Sequence, residues 1–209
     1  MPFPTTNATQ ELPAINQILA SVGQAPVTTL DQTNPDVAIA YDTLLQVSRE
    51  VQAEGWTFNR EYHVEFTPDT NDEVLIANNV LQIKLTNNAS NMDYNAVRRS
   101  GKLYDNQHHT YSWADFSGEK IKCDVVWFFD WVDLPKPIQD FITARAAVLV
   151  SSRIVGDTAQ YQMLQQNEAY TRALALEYET NQGEYTFFGH PEGDQNYYNS
   201  YQPYQALYR

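Results

Sequence analysis

Apolar residues recur at helical spacing near both ends of this chain and at strand spacing in its middle. In TQELPAINQILASVGQAP, residues 9–26, Leu12, Ile15, Leu19 and Val22 lie three or four apart, which predicts a helix with one buried face. Thr9 is placed to cap its start, and Gly23 and Pro26 lie beyond its end. A second helix opens at NPDVAIAYDTLL: Asn34 can cap, Pro35 suits the first helical position, and Asp36 complements the helix dipole. Its stripe is Val37, Tyr41, Leu44, Val47 and Val51, and it ends at Gly55.

From about residue 60 the period changes to two. In EYHVEF, Tyr62, Val64 and Phe66 alternate with Glu61, His63 and Glu65; in LQIKL, Leu81, Ile83 and Leu85 alternate with Gln82 and Lys84. AVRRSGKLYD reads as a hairpin turning at Ser100-Gly101, and EKIKCDVVWFF as a further strand with a more continuous apolar end. Polar loops such as TPDTNDE and TNNASN separate them. Helix returns after LPKP: Ile138, Phe141, Ile142, Val148, Leu149 and Val155 follow helical spacing until Gly156. Asp157 then opens a longer polar helix carrying Leu164, Tyr170, Leu174 and Tyr178 towards Gly183.

This order predicts an α+β fold, mainly helical, built as one domain over residues 1–209. Two helical hairpins, residues 9–58 and 131–183, form a bundle; residues 59–130 are a small antiparallel β insertion; residues 184–209 are an extended C-terminal arm. The arm follows neither period, yet the stretch QGEYTFFGHPEGDQNYYNSYQPYQALYR holds six of the 14 tyrosines. Disordered segments are usually poor in aromatics. Tyr197, Tyr198, Tyr201, Tyr204, Tyr208 and Arg209 are therefore read as a partner-binding arm, since tyrosines among Asn, Ser and Gln suit protein interfaces.

Composition narrows the function classes. Thirteen basic against 26 acidic residues give a net charge of −13, the wrong sign for gripping phosphates. An acidic wall can still border a path along which nucleic acid slides. The single cysteine, Cys123, excludes an internal disulfide and a cysteine-based zinc site. The start MPFPTTNATQ lacks a basic-then-apolar leader, and no apolar run reaches the ~18 residues of a membrane span, so the chain is expected to be soluble.

The named enzyme signatures are absent: there is no glycine-rich phosphate loop, no GxSxG and no HExxH. His63-Val64-Glu65 spells the HxE of zinc deaminases, but the PCxxC that completes their metal site is missing. Glu61, His63 and Glu65 would share one strand face, as an acid–base set or simply as a solvated surface. His108-His109 can bind one metal only from a loop, because neighbours on a strand point apart. Cys123, near Lys120 and Lys122, reads as a buried inert thiol. No catalytic, metal or cofactor site is assigned.

EGWTFN, residues 54–59, poses a different question. Gly55 can take the left-handed conformation that ends a helix, after which Trp56 and Phe58, two apart, would point the same way along an extended chain. Trp56 is either a ligand platform or a wedge in the core. Gly55, Trp56 and Phe58 are taken as a structural junction.

The run AINQILASVGQAPVTTLDQTNPDVAIAYDTLLQVSREVQAEGWTFN, residues 14–59, resembles the opening of tail tubular protein A, the head-to-tail adaptor of autographivirus-type short-tailed phages. The shared features are a first helix ending in Gly-x-x-Pro-Val, a Leu-Asp loop, an Asn/Asp-rich second helix start, and the Gly-Trp-Thr-Phe-Asn exit. Looser likeness continues in RRSGKLYD, Asp133-Leu134-Pro135, Ala144-Arg145-Ala146-Ala147, Arg153-Ile154-Val155-Gly156 and Leu176-Glu177-Tyr178-Glu179, most of residues 12–185, but not in the arm. The resemblance implies a virion structural protein without enzymatic activity or cofactor. It implies a ring of twelve copies between the portal and the nozzle formed by tail tubular protein B, with tail fibres docking nearby. DNA would pass through the lumen without specific binding, and no membrane is involved. The helical hairpins would surround the channel, with the β insertion facing outward or tailward. The alternative is a tail-associated hydrolase acting on host surface polysaccharide through acids such as Glu61 and Glu65. A soluble DNA-binding accessory factor is a third reading, disfavoured by the charge.

Overall fold

The computed structural model describes residues 8–31, 33–86, 94–116 and 120–183, in which four α-helices and two antiparallel sheets make an α+β fold. Helix α1 (Ala8–Ser21) buries Ala14, Ile15, Ile18 and Leu19, while Leu12 and Val22 are only half-buried. It ends where Gly23 turns to φ +77°, with Gly23 N–H donating to Ala20 O and Gln24 N–H to Leu19 O. That bond pair satisfies carbonyls the helix would otherwise leave open. Thr9 lies inside α1 rather than capping it, because the first turn already includes Ala8.

Helix α2 (Pro35–Ala53) starts as its sequence dictates: Asn34 accepts from the Asp36 N–H, with Pro35 behind it, and all five stripe residues are buried. Helix α3 (Lys136–Ile154) is the hub, packing against α1, α2 and α4 (Thr158–Gly183). Contact on several sides explains why it buries Ala144, Ala146, Ala147 and Val150 besides Ile138, Phe141 and Ile142. Val155 is exposed instead of continuing the stripe, since it already caps the helix end before Gly156 at φ +68°. Helix α4 packs mainly along α3, with side-chain contacts to the end of α1 and to the segment after α2; Tyr170 and Leu174, expected on its apolar face, are exposed, and Ala175 and Gly183 are its buried residues.

Between the helices, β1 (Arg60–Phe66), β5 (Ile121–Trp127) and β2 (Val80–Leu85) form a sheet in the order β1-β5-β2. β3 (Ala96–Arg99) and β4 (Lys102–Asp105) form the predicted hairpin, whose turn residues Ser100 and Gly101 have φ of 52° and 73°. Two successive positive φ values match the right-handed strand twist. Two apolar clusters result. One lies among the helices and includes Trp56 and Trp131; the other, around Leu103, Trp113, Ile121, Cys123 and Val125, lies between the sheets.

Strand β1 departs from simple alternation. Glu61 pairs with Val125 and Val64 with Cys123, so Tyr62 and His63 stand against Asp124 alone, and His63 takes φ 58°. This is a β-bulge.

Candidate functional site

The helices and the sheet meet at a joint built from neutral amides. Gln52, fully buried near the end of α2, donates from Nε2 to Ser48 Oγ (3.0 Å) and Phe129 O (3.1 Å), and its Oε1 accepts from Phe129 N–H (2.8 Å). One side chain thus satisfies both backbone groups of a residue 77 positions away. Asn59, also fully buried, donates from Nδ2 to Gln52 O and Trp127 O, each 2.8 Å, and accepts the Trp56 N–H at 2.8 Å. Trp127 N–H in turn donates to Asn59 O at 2.8 Å. The end of α2, the start of β1 and the end of β5 are spliced there.

Gly55 has φ +76°, as its position after α2 requires. A Cβ there would fall 2.4 Å from the Arg60 guanidinium, a flexible group, so the backbone angle is the stronger demand for glycine. Trp56 is 4% exposed and its indole N–H donates to Val51 O at 2.7 Å. Phe58 is half-buried against the same cluster, its ring 6.3 Å from that of Phe129. The chain does not become extended at Trp56 as expected: Asn59 and Arg60 N–H both donate to Trp56 O, closing a turn that Asn59 Oδ1 braces. Sequence reasoning singled out the glycine and aromatics, noted Asn59 only as the end of the exit motif without assigning it a role, and passed over Gln52, whose amide has no periodic signature.

Helix α4 reaches the joint too. Glu179 accepts from Thr57 N–H (2.9 and 3.0 Å) and Thr57 Oγ1 (2.7 Å). Glu54 lies 3.8 Å from Arg145 and 3.5 Å from Arg172, whose guanidinium covers the Phe141 ring at 5.5 Å. The Gly-Trp-Thr-Phe-Asn and Leu-Glu-Tyr-Glu segments, 122 residues apart, therefore touch.

The other flagged residues do not assemble into a reactive centre. Through the bulge, Glu61 is opposite Val125 and Glu65 opposite Lys122. Positions 122 and 125 of one strand face opposite ways, so the two carboxylates lie on opposite sheet faces and the expected shared face is lost. Glu61 accepts from the Trp127 indole (2.8 Å), while Glu65 pairs with Lys120 and Lys122, which hold its carboxyl below the usual range. Cys123 points into the core, where burial, helped by the Asp124 charge, pushes its thiol up to about 12. His108 bonds the buried Asp105 through Nδ1, and His109 occupies the left-handed region at φ 56°. Among the described residues no three His, Cys, Asp or Glu side chains group as metal ligands. Tyr197, Tyr198, Tyr201, Tyr204, Tyr208 and Arg209 lie outside the described residues.

An uncovered apolar stripe lies on α4. Met163, Tyr170 and Leu174 are 72%, 64% and 39% exposed and follow i, i+7, i+11 spacing, so they form one stripe. Beside it, a groove of about 370 Å³ runs between α4 and the start of α3, lined by Lys136, Pro137, Leu174 and Tyr178 among others. No helix among the described residues is long and apolar enough to cross a membrane.

A family model described as tail tubular protein matches residues 12–185. No curated protein matches the chain.

Proposed function

Because the chain belongs to the tail tubular protein family and so is a structural component of a phage tail, we propose that it is the adaptor that joins the portal to the tail nozzle. In this reading copies, twelve by the family resemblance, close into a ring whose lumen passes DNA. Tail tubular protein B forms the nozzle below it, and tail fibres dock at that junction. Two helical hairpins, α1–α2 and α3–α4, stand around the channel, and the β insertion turns outward or tailward. The acidic balance of −13 suits a wall that DNA must slide past without adhering.

The observation that carries the proposal is α4. A 26-residue helix that packs mainly on one neighbour and leaves Met163, Tyr170 and Leu174 in solvent is incomplete as a monomer and ready for a second copy. The joint of Gly55, Trp56 and Phe58 keeps the hairpin and sheet in fixed relation, which a ring needs if its two rims are to stay in register. The arm residues Tyr197, Tyr198, Tyr201, Tyr204, Tyr208 and Arg209 then attach to the portal or the next subunit.

Native mass spectrometry or electron microscopy of the protein mixed with its portal should give a ring complex. A Met163→Glu/Tyr170→Glu/Leu174→Glu variant should keep its melting temperature yet lose the ring; rings that persist in it would refute the role of α4. Removing residues 190–209 should weaken portal attachment without unfolding the chain. The hydrolase reading loses its carboxylate pair to the bulge in β1.

A further inference from the structure

A pocket of about 110 Å³ opens between α1, α2 and the turn after β5, lined by Glu11, Leu44, Arg49, Phe128, Asp130 and Trp131 among others. Glu11 is 5% exposed, and its Oε2 has no hydrogen-bond partner among the described residues. Leaving a buried carboxylate oxygen unmatched is costly, so its presence here points to a donor that arrives from outside. Burial pushes the Glu11 carboxyl up, a hydrogen bond donated by the Tyr41 hydroxyl opposes this, and the Asp130 charge adds to it. Both acids line the one cavity.

Arg49 lines the same pocket with its guanidinium over the Phe128 ring at 5.7 Å, and among the described residues it makes no ion pair with either acid. The pocket thus holds two acids beside one base already engaged elsewhere, and the Trp131 ring forms a wall. The cavity, at about 110 Å³, has room for a side-chain-sized group. A small planar or tetrahedral cation beside an aromatic wall and two carboxylates meets every demand of the site.

We propose that this pocket receives a lysine or arginine side chain presented by a partner protein, with Glu11 as the inner anchor and Asp130 at the mouth. The assignment does not depend on the ring reading.

The test titrates the full chain with ethylguanidinium, n-propylammonium and neutral ethylurea while following the Trp131 indole N–H and the Glu11 carboxyl carbon by NMR. Both cations should give saturable shifts and ethylurea none. Affinity should fall about tenfold in Glu11→Gln and severalfold in Asp130→Asn, a change at an exposed residue that leaves the fold intact. Arg49→Ala should tighten binding by removing a competing charge. Equal shifts with ethylurea, undiminished cation affinity in either acid variant, or binding that appears only in Arg49→Ala would overturn the proposal; the last result would make Arg49 the pocket's own occupant.

Discussion

Replacing Gln52 with glutamate changes one NH₂ to oxygen at a fully buried position and should make stability depend on pH in a way the wild type does not. The retained oxygen still accepts the Phe129 N–H. The new one faces Phe129 O, to which Gln52 now donates at 3.1 Å, and only a protonated carboxyl can keep that bond. Burial and the carbonyl both favour the neutral acid, so the folded pKa of the introduced group lies above its unfolded value of about 4.3. The sign follows. Stability is near wild type below the unfolded pKa and is lost as pH rises towards the folded one. Holding the acid neutral costs about 1.4 kcal/mol per pH unit, so the ceiling is about 1 kcal/mol at pH 5 and about 4 kcal/mol at pH 7. Urea midpoints of Gln52→Glu and wild type, compared at both pH values with unchanged m, should diverge by about 2–3 kcal/mol between them. A difference that stays constant within about 0.5 kcal/mol would show that Gln52 does not hold Phe129 as described.

Three further outcomes follow from other parts of the fold. Trp56→Ala should cost about 3–5 kcal/mol, read by thermal or urea melting; an unchanged melt would revive the ligand-platform reading of that ring. Cys123, its thiol raised to about 12, should resist a thiol reagent at pH 8 in the native state and react at once in denaturant, whereas rapid native labelling would contradict its burial. Burial pushes Asp105 up, but N–H donors from Asn95, Gln107 and His108 and the His108 ring outweigh it and hold its pKa low. Its contribution is therefore present above the unfolded pKa near 4 and lost as pH falls through the folded one. In Asp105→Asn, which should cost about 1–3 kcal/mol at neutral pH, that acid-sensitive portion should vanish.

Elements whose identity rests on period were legible in the sequence, because burial of one face writes itself into spacing: the α2 stripe, the α3 run and the Ser100-Gly101 hairpin all lie where the residues place them. The bulge in β1 was not legible, since Tyr-His-Val alternates as well as any regular strand and only the partner Asp124 reveals the extra residue. Nor was the exposure of Tyr170 and Leu174, which helical spacing places on a face while leaving open whether that face is covered. Gln52 and Asn59 sit where polar residues are expected on a helix flank and in a turn. Their importance depends on Trp127 and Phe129, about 70 residues onward, which no local pattern can announce. The quoted Gly-Trp-Thr-Phe-Asn exit carried the family resemblance, and its neighbours in space explain why those residues keep company.

The choice of amides for that joint has a consequence in the media a virion meets. Ion pairs such as Lys136–Asp140 are exposed and weaken as salt accumulates between their charges. The Gln52–Phe129 and Asn59–Trp127 contacts carry no net charge and do not titrate, and they are shielded from ions by burial. Asn16 repeats the device at the other end of the helices, bonding both the N–H and the C=O of Val27 at 2.8 and 3.0 Å. A tail protein moved from one ionic strength to another keeps these splices at the same strength, so the angle between its helices and sheet should not vary with salt.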